Sequence, residues 1–131
     1  MDKIKIIYSE RPVLDNPILV EGLPGVGNVG KLAAEHLLDQ IDAVKFADIY
    51  SVHFPPQVVL DDEGVVKLVN NELYYSKPDG SHPDLILMVG DYQGLTPEGQ
   101  YDISDAVLDI ARQFNVSLIF TLGGYGIGKM V

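Results

Sequence analysis

Glycines at positions 22, 25, 27 and 30, closed by Lys31, are the residues of this chain whose types and spacing most suggest chemistry. They lie in the run Ile18-Leu19-Val20-Glu21-Gly22-Leu23-Pro24-Gly25-Val26-Gly27-Asn28-Val29-Gly30-Lys31. A backbone so rich in glycine can expose its N–H groups and approach another group closely. A helix starting beside it adds a positive dipole end. That chemistry is anion binding; the same residues also suit a sharp, packed turn.

Two phosphate-loop patterns overlap in this run, and each lacks a part. Gly25-x-Gly27-x-x-Gly30 has the dinucleotide spacing, but Gly22-Leu23-Pro24 separate it from the strand it should follow directly. The acid that would hold a ribose has its nearest candidate in Asp48, inside the apparent strand Ala43 to Tyr50. As a P-loop, Gly25-x-x-x-x-Gly30-Lys31 has its lysine, but Leu32 stands where a Mg²⁺-binding hydroxyl belongs. If Asn28 is the N-cap, Lys31 falls in the first helical turn. A cation is disfavoured there by about 0.3–1 kcal/mol unless an anion compensates. Pairing of Lys31 with Glu35, or contact with water, is the simpler expectation.

Further candidates follow other apolar strands. The loops Gly90-Asp91-Tyr92-Gln93-Gly94 and Gly123 to Gly128 resemble the first in position. If their strands are parallel and adjacent, all three converge on one sheet edge, where ligands of α/β sheets gather. Gly25, Gly27, Asn28, Gly30, Lys31, Asp91, Gln93, Gly123 and Gly124 would then wall a pocket for a small polar ligand, with His53 joining from the end of Ala43 to Val52. Ser51, His53 and Asp91 can be nominated as nucleophile, base and orienting acid. Residues two apart on a strand share a face without pointing at each other, however, and no nucleophile elbow is present. Ser81-His82 precedes its strand, at the opposite edge. His36, His53 and His82 are widely separated, with no His-x-x-x-His pair. No catalytic residue, metal ligand or cofactor is therefore assigned.

The elements that must position these residues can be read from periodicity. Met1 to Tyr8 alternates polar with apolar like a strand. Val29 to Gln40 is helical, with Ala33, Ala34, Leu37, Leu38 and Ile41 inward and His36 on the mixed face. Leu85 to Val89 and Val116 to Phe120 are nearly continuous apolar runs, as in strands buried on both faces. Between them Thr96 can cap a helix with Pro97 first, Glu98 in its first turn, an apolar stripe of Ile103, Val107, Ile110, Ala111 and Phe114, and Asn115 closing it. This strand–helix–strand unit is expected to be right-handed. Gln57 to Leu60, Val65 to Val69 and Leu73 to Ser76, broken by Asp61-Asp62-Glu63-Gly64 and Asn70-Asn71, read as an antiparallel meander ending in an edge strand. The last apolar strand has no covering helix after it in this sequence, so either the chain is a fragment or a partner supplies the cover.

At 131 residues the chain reads as one α/β domain. A net charge of −10 without a basic cluster argues against nucleic acid as a partner. Cysteine is absent, which excludes disulfides and thiolate chemistry. No segment approaches ~18 consecutive apolar residues, so no membrane span is expected, and the default location is cytoplasmic.

Taken in order, Glu21 to Gly30, Phe54-Pro55-Pro56, Val89-Gly90-Asp91-Tyr92-Gln93 and Thr121-Leu122-Gly123-Gly124-Tyr125-Gly126 resemble the archaeal form of the proteasome assembly chaperone 2 family, across nearly the whole chain. The resemblance implies a three-layer α/β/α sandwich of the phosphorylase/hydrolase-like kind, with a mixed, mostly parallel sheet. It further implies self-association and contact with proteasome core-particle subunits of the α type, without catalysis. Family members that bind the proteasome resemble one another in a C-terminal hydrophobic–tyrosine–any tail. Lys129-Met130-Val131 departs from it, so the chain is expected to be an N-terminal portion carrying the scaffold. The rival readings are a nucleotide-dependent enzyme of the ATP-grasp kind, with which such sequences have also been grouped, and a small-ligand module.

Overall fold

The structure, a computed structural model, describes residues 4–25, 28–51, 70–78, 80, 82–90 and 97–124, together with the backbone of 58–60 and 66–68. Along the chain run β1 (Ile4–Tyr8), β2 (Ile18–Gly22), α1 (Val29–Gln40), β3 (Val44–Ser51), β4 (Val58–Leu60), β5 (Val66–Leu68), β6 (Asn71–Ser76), β7 (Leu85–Gly90), α2 (Pro97–Gln113) and β8 (Leu118–Leu122). Six strands form one sheet in the order β1-β3-β6-β7-β2-β8, and β4-β5 form a separate antiparallel pair.

Both helices are where the apolar periodicity puts them. α2 opens on Pro97 with Glu98 in its first turn and buries Ile103, Val107 and Ile110. It stops before Asn115, whose φ of 57° lies in the left-handed region. In α1 the inward set is smaller than the stripe predicts. Gly30 and Ala34 are buried, but Ala33 is exposed, because the helix docks on its glycine side.

The helices cover opposite faces of the sheet. Leu19, Ile86 and Met88 share one apolar cluster with Ile103, Val107 and Ile110 of α2. A Cβ on Gly22 would meet Ala34 of α1 at 2.5 Å and overlap the Gly30 carbonyl. Residues 19 and 22 are an odd number apart along a strand and so face opposite sides. On the α2 side Phe46 anchors an aromatic group, with ring centroids 5.5 Å from Phe114 and 5.8 Å from Tyr75, both edge-on.

Three expectations need correction. The sheet is not mostly parallel: β7-β2-β8 are parallel, whereas β1-β3, β3-β6 and β6-β7 are antiparallel. Among the described residues the three strands do not form one meander, because β6 lies apart from the β4-β5 pair, between β3 and β7, where Leu73 becomes fully buried. The Asn70-Asn71 pair that reads as a turn is the start of this interior strand. Finally, among the described residues β8 is an edge strand with Leu118 and Phe120 each 49% exposed, not a strand buried on both faces. A continuous apolar run shows that a strand can be covered, not that it is.

Candidate functional site

The expected convergence of strand ends is present. Gly22 of β2 is in register with Val89 of β7 and with Leu122 of β8, so the segments after these three strands leave from one edge of the sheet. Asn71 lies opposite both Gly90 and Ile49, which brings the end of β3 to the same edge. Gly27, His53, Asp91 and Gln93 lie outside the described residues, so the walled pocket and the proposed triad are described only in part.

Close packing accounts for much of the glycine pattern. A Cβ on Gly30 would overlap the Leu122 backbone carbonyl. The first turn of α1 is thus pressed onto β8 on one side and onto Gly22 of β2 on the other, contacts that only residues without a Cβ allow. Nothing within 4 Å would meet a Cβ on Gly123. Gly25 is exposed and accepts a turn hydrogen bond from the Asn28 N–H at 3.0 Å. Asn28 holds the N-cap position in a left-handed conformation, φ 54°, and makes no side-chain cap. Lys31 reaches Glu35 at 3.7 Å, the simpler of the two expectations.

Asp48 does not stand where a ribose acid would. β6 and β7 separate its strand from β2, which puts it about 14 Å across the sheet from the glycine run. There it accepts a hydrogen bond from Asn70 Nδ2 at 2.6 Å and pairs with Lys45 at 2.8 Å. Lys45 also pairs with Glu72 at 2.9 Å. Burial draws the Lys45 ammonium down, but hydrogen bonds to Asp48 and Glu72 outweigh it and leave the group above the usual lysine range. Burial, and then the charge of Glu72 beside it, push the Tyr74 phenol up to about 12. This network pairs charges on the antiparallel half of the sheet.

Two polar residues near that edge were not among the candidate site residues. Asn71 is fully buried, and neither amide atom has a hydrogen-bond partner among the described residues. Its only sequence signal is the Asn-Asn pair, which favours a turn. Glu21 sits in register with Met88 and Thr121, and burial raises its carboxyl above the usual range. Among the described residues no group of three or more His, Asp or Glu side chains is placed to hold a metal ion, and no helix is long and apolar enough to cross a membrane. A cleft of about 630 Å³ lies away from the glycine edge, lined in part by Asp42, Ser76, Lys77 and His82. Its lysine donates to the Val13 carbonyl at 2.6 Å.

Comparison with known proteins shows the family. The model of the PAC2 family matches residues 19–131. Pyrococcus furiosus PbaB, described as an archaeal proteasome activator, superposes with a TM-score of 0.92 at 42% identity, over 100% of this chain and 55% of its own. PbaA of the same organism, an archaeal homolog of proteasome-assembly chaperone, gives a TM-score of 0.71 at 24% identity over 98% of this chain and 51% of its own, a likeness of fold alone. A Methanocaldococcus jannaschii protein, MJ1210, itself uncharacterized, is 38% identical over 117 residues, 89% of this chain and 44% of that protein. The chain thus spans about half the length of the relatives it matches.

Proposed function

The chain belongs to the PAC2 family, and from this premise we propose that it is a non-catalytic, proteasome-assembly-chaperone-like domain acting through contacts with α-type subunits of the proteasome core particle. One observation carries the non-catalytic part. At the sheet edge where an α/β enzyme would hold its ligand, Gly22, Gly30 and Gly90 are occupied by close packing against Ala34, Leu122 and Asn71. The description of PbaB as a proteasome activator supports the choice of partner.

Self-association is part of the same reading. Among the described residues β8 has a strand partner on one side only, its Leu118 and Phe120 are half-exposed, and α1 beside it exposes Val29 and Leu32 at 51% and 59%. An unpaired edge flanked by exposed apolar side chains favours pairing with a second copy.

Titration calorimetry with Mg-ATP tests the non-catalytic reading. Binding no tighter than about 1 mM, roughly −4 kcal/mol, is expected. Micromolar binding that Lys31→Ala abolishes would overturn it in favour of an ATP-grasp-like enzyme.

A further inference from the structure

Among the described residues β1 has a strand partner on one side only, β3, so its other edge carries unpaired backbone donors and acceptors. Beside that edge lies a cleft of about 310 Å³ between β1 and α2. Ile4, Ile6 and Ala106 give it apolar surface, and Asp102, Asp105 and Asp109 line it with acid. Spacings of three and four residues place these aspartates along one side of the helix. Arg112 pairs with Asp109 at 2.9 Å. Across α2 as a whole, Glu98, Asp102, Asp105 and Asp109 outnumber that single arginine.

We propose that this cleft is a docking site for an extended, positively charged segment of a partner protein, which adds to β1 as a further strand and lays lysine or arginine side chains along Asp102, Asp105 and Asp109. The three requirements of strand addition are together in one place. The open edge supplies main-chain hydrogen bonds, the isoleucines and Ala106 receive alternate side chains, and the acidic wall selects the sign of the charge. A second copy of this chain does not fit the same role. Each copy would bring the same aspartates, on a molecule of net charge −10, against those of the other. The proposal goes beyond the proteasome reading and does not depend on it, since any partner with such a segment would be recognised.

The test uses the chain itself and a fluorescent ten-residue peptide of alternating lysine and valine, with alternating glutamate and valine as the control, in about 0.15 M salt. The lysine peptide binds and the glutamate peptide does not. Asp105→Lys, at an exposed position, weakens binding roughly tenfold. Asp39→Lys makes the same charge change on exposed α1, across the sheet, and alters binding by less than about twofold. Hydrogen exchange of the β1 amides slows when the peptide is bound. Absence of binding, equal loss in the two variants, or unchanged exchange in β1 would each overturn the proposal. Because the probe is a peptide, failure here is distinct from failure to bind proteasome subunits.

Discussion

Asn71 and Gly90 face each other across the β6-β7 ladder, and the Asn71 amide oxygen occupies the space where a Cβ on residue 90 would lie. A fully buried polar side chain is thereby seated at the start of an interior strand, directly against bare backbone. Gly90→Ala is expected to destabilise the fold by about 1–3 kcal/mol through overpacking. Gly123→Ala, with nothing within 4 Å of its Cβ, is expected to stay within about 0.5 kcal/mol of the parent. Urea denaturation of the two variants makes the comparison, and equal stabilities would contradict the packing role given to Gly90.

Gly30→Ala sets two effects against each other. Alanine gains about 1 kcal/mol of helix propensity over glycine, but its Cβ would run into the Leu122 carbonyl, which is backbone and cannot rotate away. Packing is expected to win, with a net loss on the order of 1 kcal/mol. A stabilised variant, by thermal or urea unfolding, would show that α1 does not press on β8.

Glu21 gives a pH-dependent prediction. Burial raises its carboxyl pKa in the folded state, so the folded chain holds the proton more tightly than the unfolded one. Stability is therefore lost as pH rises from about 4.3, the ordinary glutamate value, through the raised folded value. Glu21→Gln should be more stable than the parent at pH 7, and the gap should close below about pH 4. A gap that persists unchanged in acid would mean that Glu21 acts through packing rather than charge.

Much of this arrangement was legible in the residues. The 3.6-residue periodicity places α1 and α2, although Asn28 makes no side-chain cap and Thr96 lies outside the described residues, and the rule that α/β ligands gather at strand carboxyl ends brings the segments after Gly22, Gly90 and Leu122 to one edge. The position of β6 was not legible, because Asn70-Asn71 has turn chemistry and only the pairing of Leu73 within the sheet decides otherwise. Likewise Leu118 and Phe120 belong to a run that suits burial, and their exposure depends on what lies beside β8. Asp48, the nearest candidate for a ribose acid, lies apart from the glycine run because two strands intervene, which strand order and not sequence distance decides.

The β8 edge, unpaired on one side among the described residues, leads us to expect a dimer or larger closed oligomer at tens of micromolar chain. Phe120→Lys, which places a charge on a half-exposed apolar position, should shift the population toward monomer with little loss of stability. Light scattering that finds only monomer in the parent would contradict this use of the edge.

The proposed function is contact with the proteasome core particle rather than chemistry of the domain's own. Retention on immobilised proteasome α-rings in about 0.15 M salt tests it most directly, comparing the 131-residue chain with a form extended by a C-terminal hydrophobic–tyrosine–any segment. Saturable retention of the extended form and weak retention of the chain alone are expected. Failure to retain either form would contradict it.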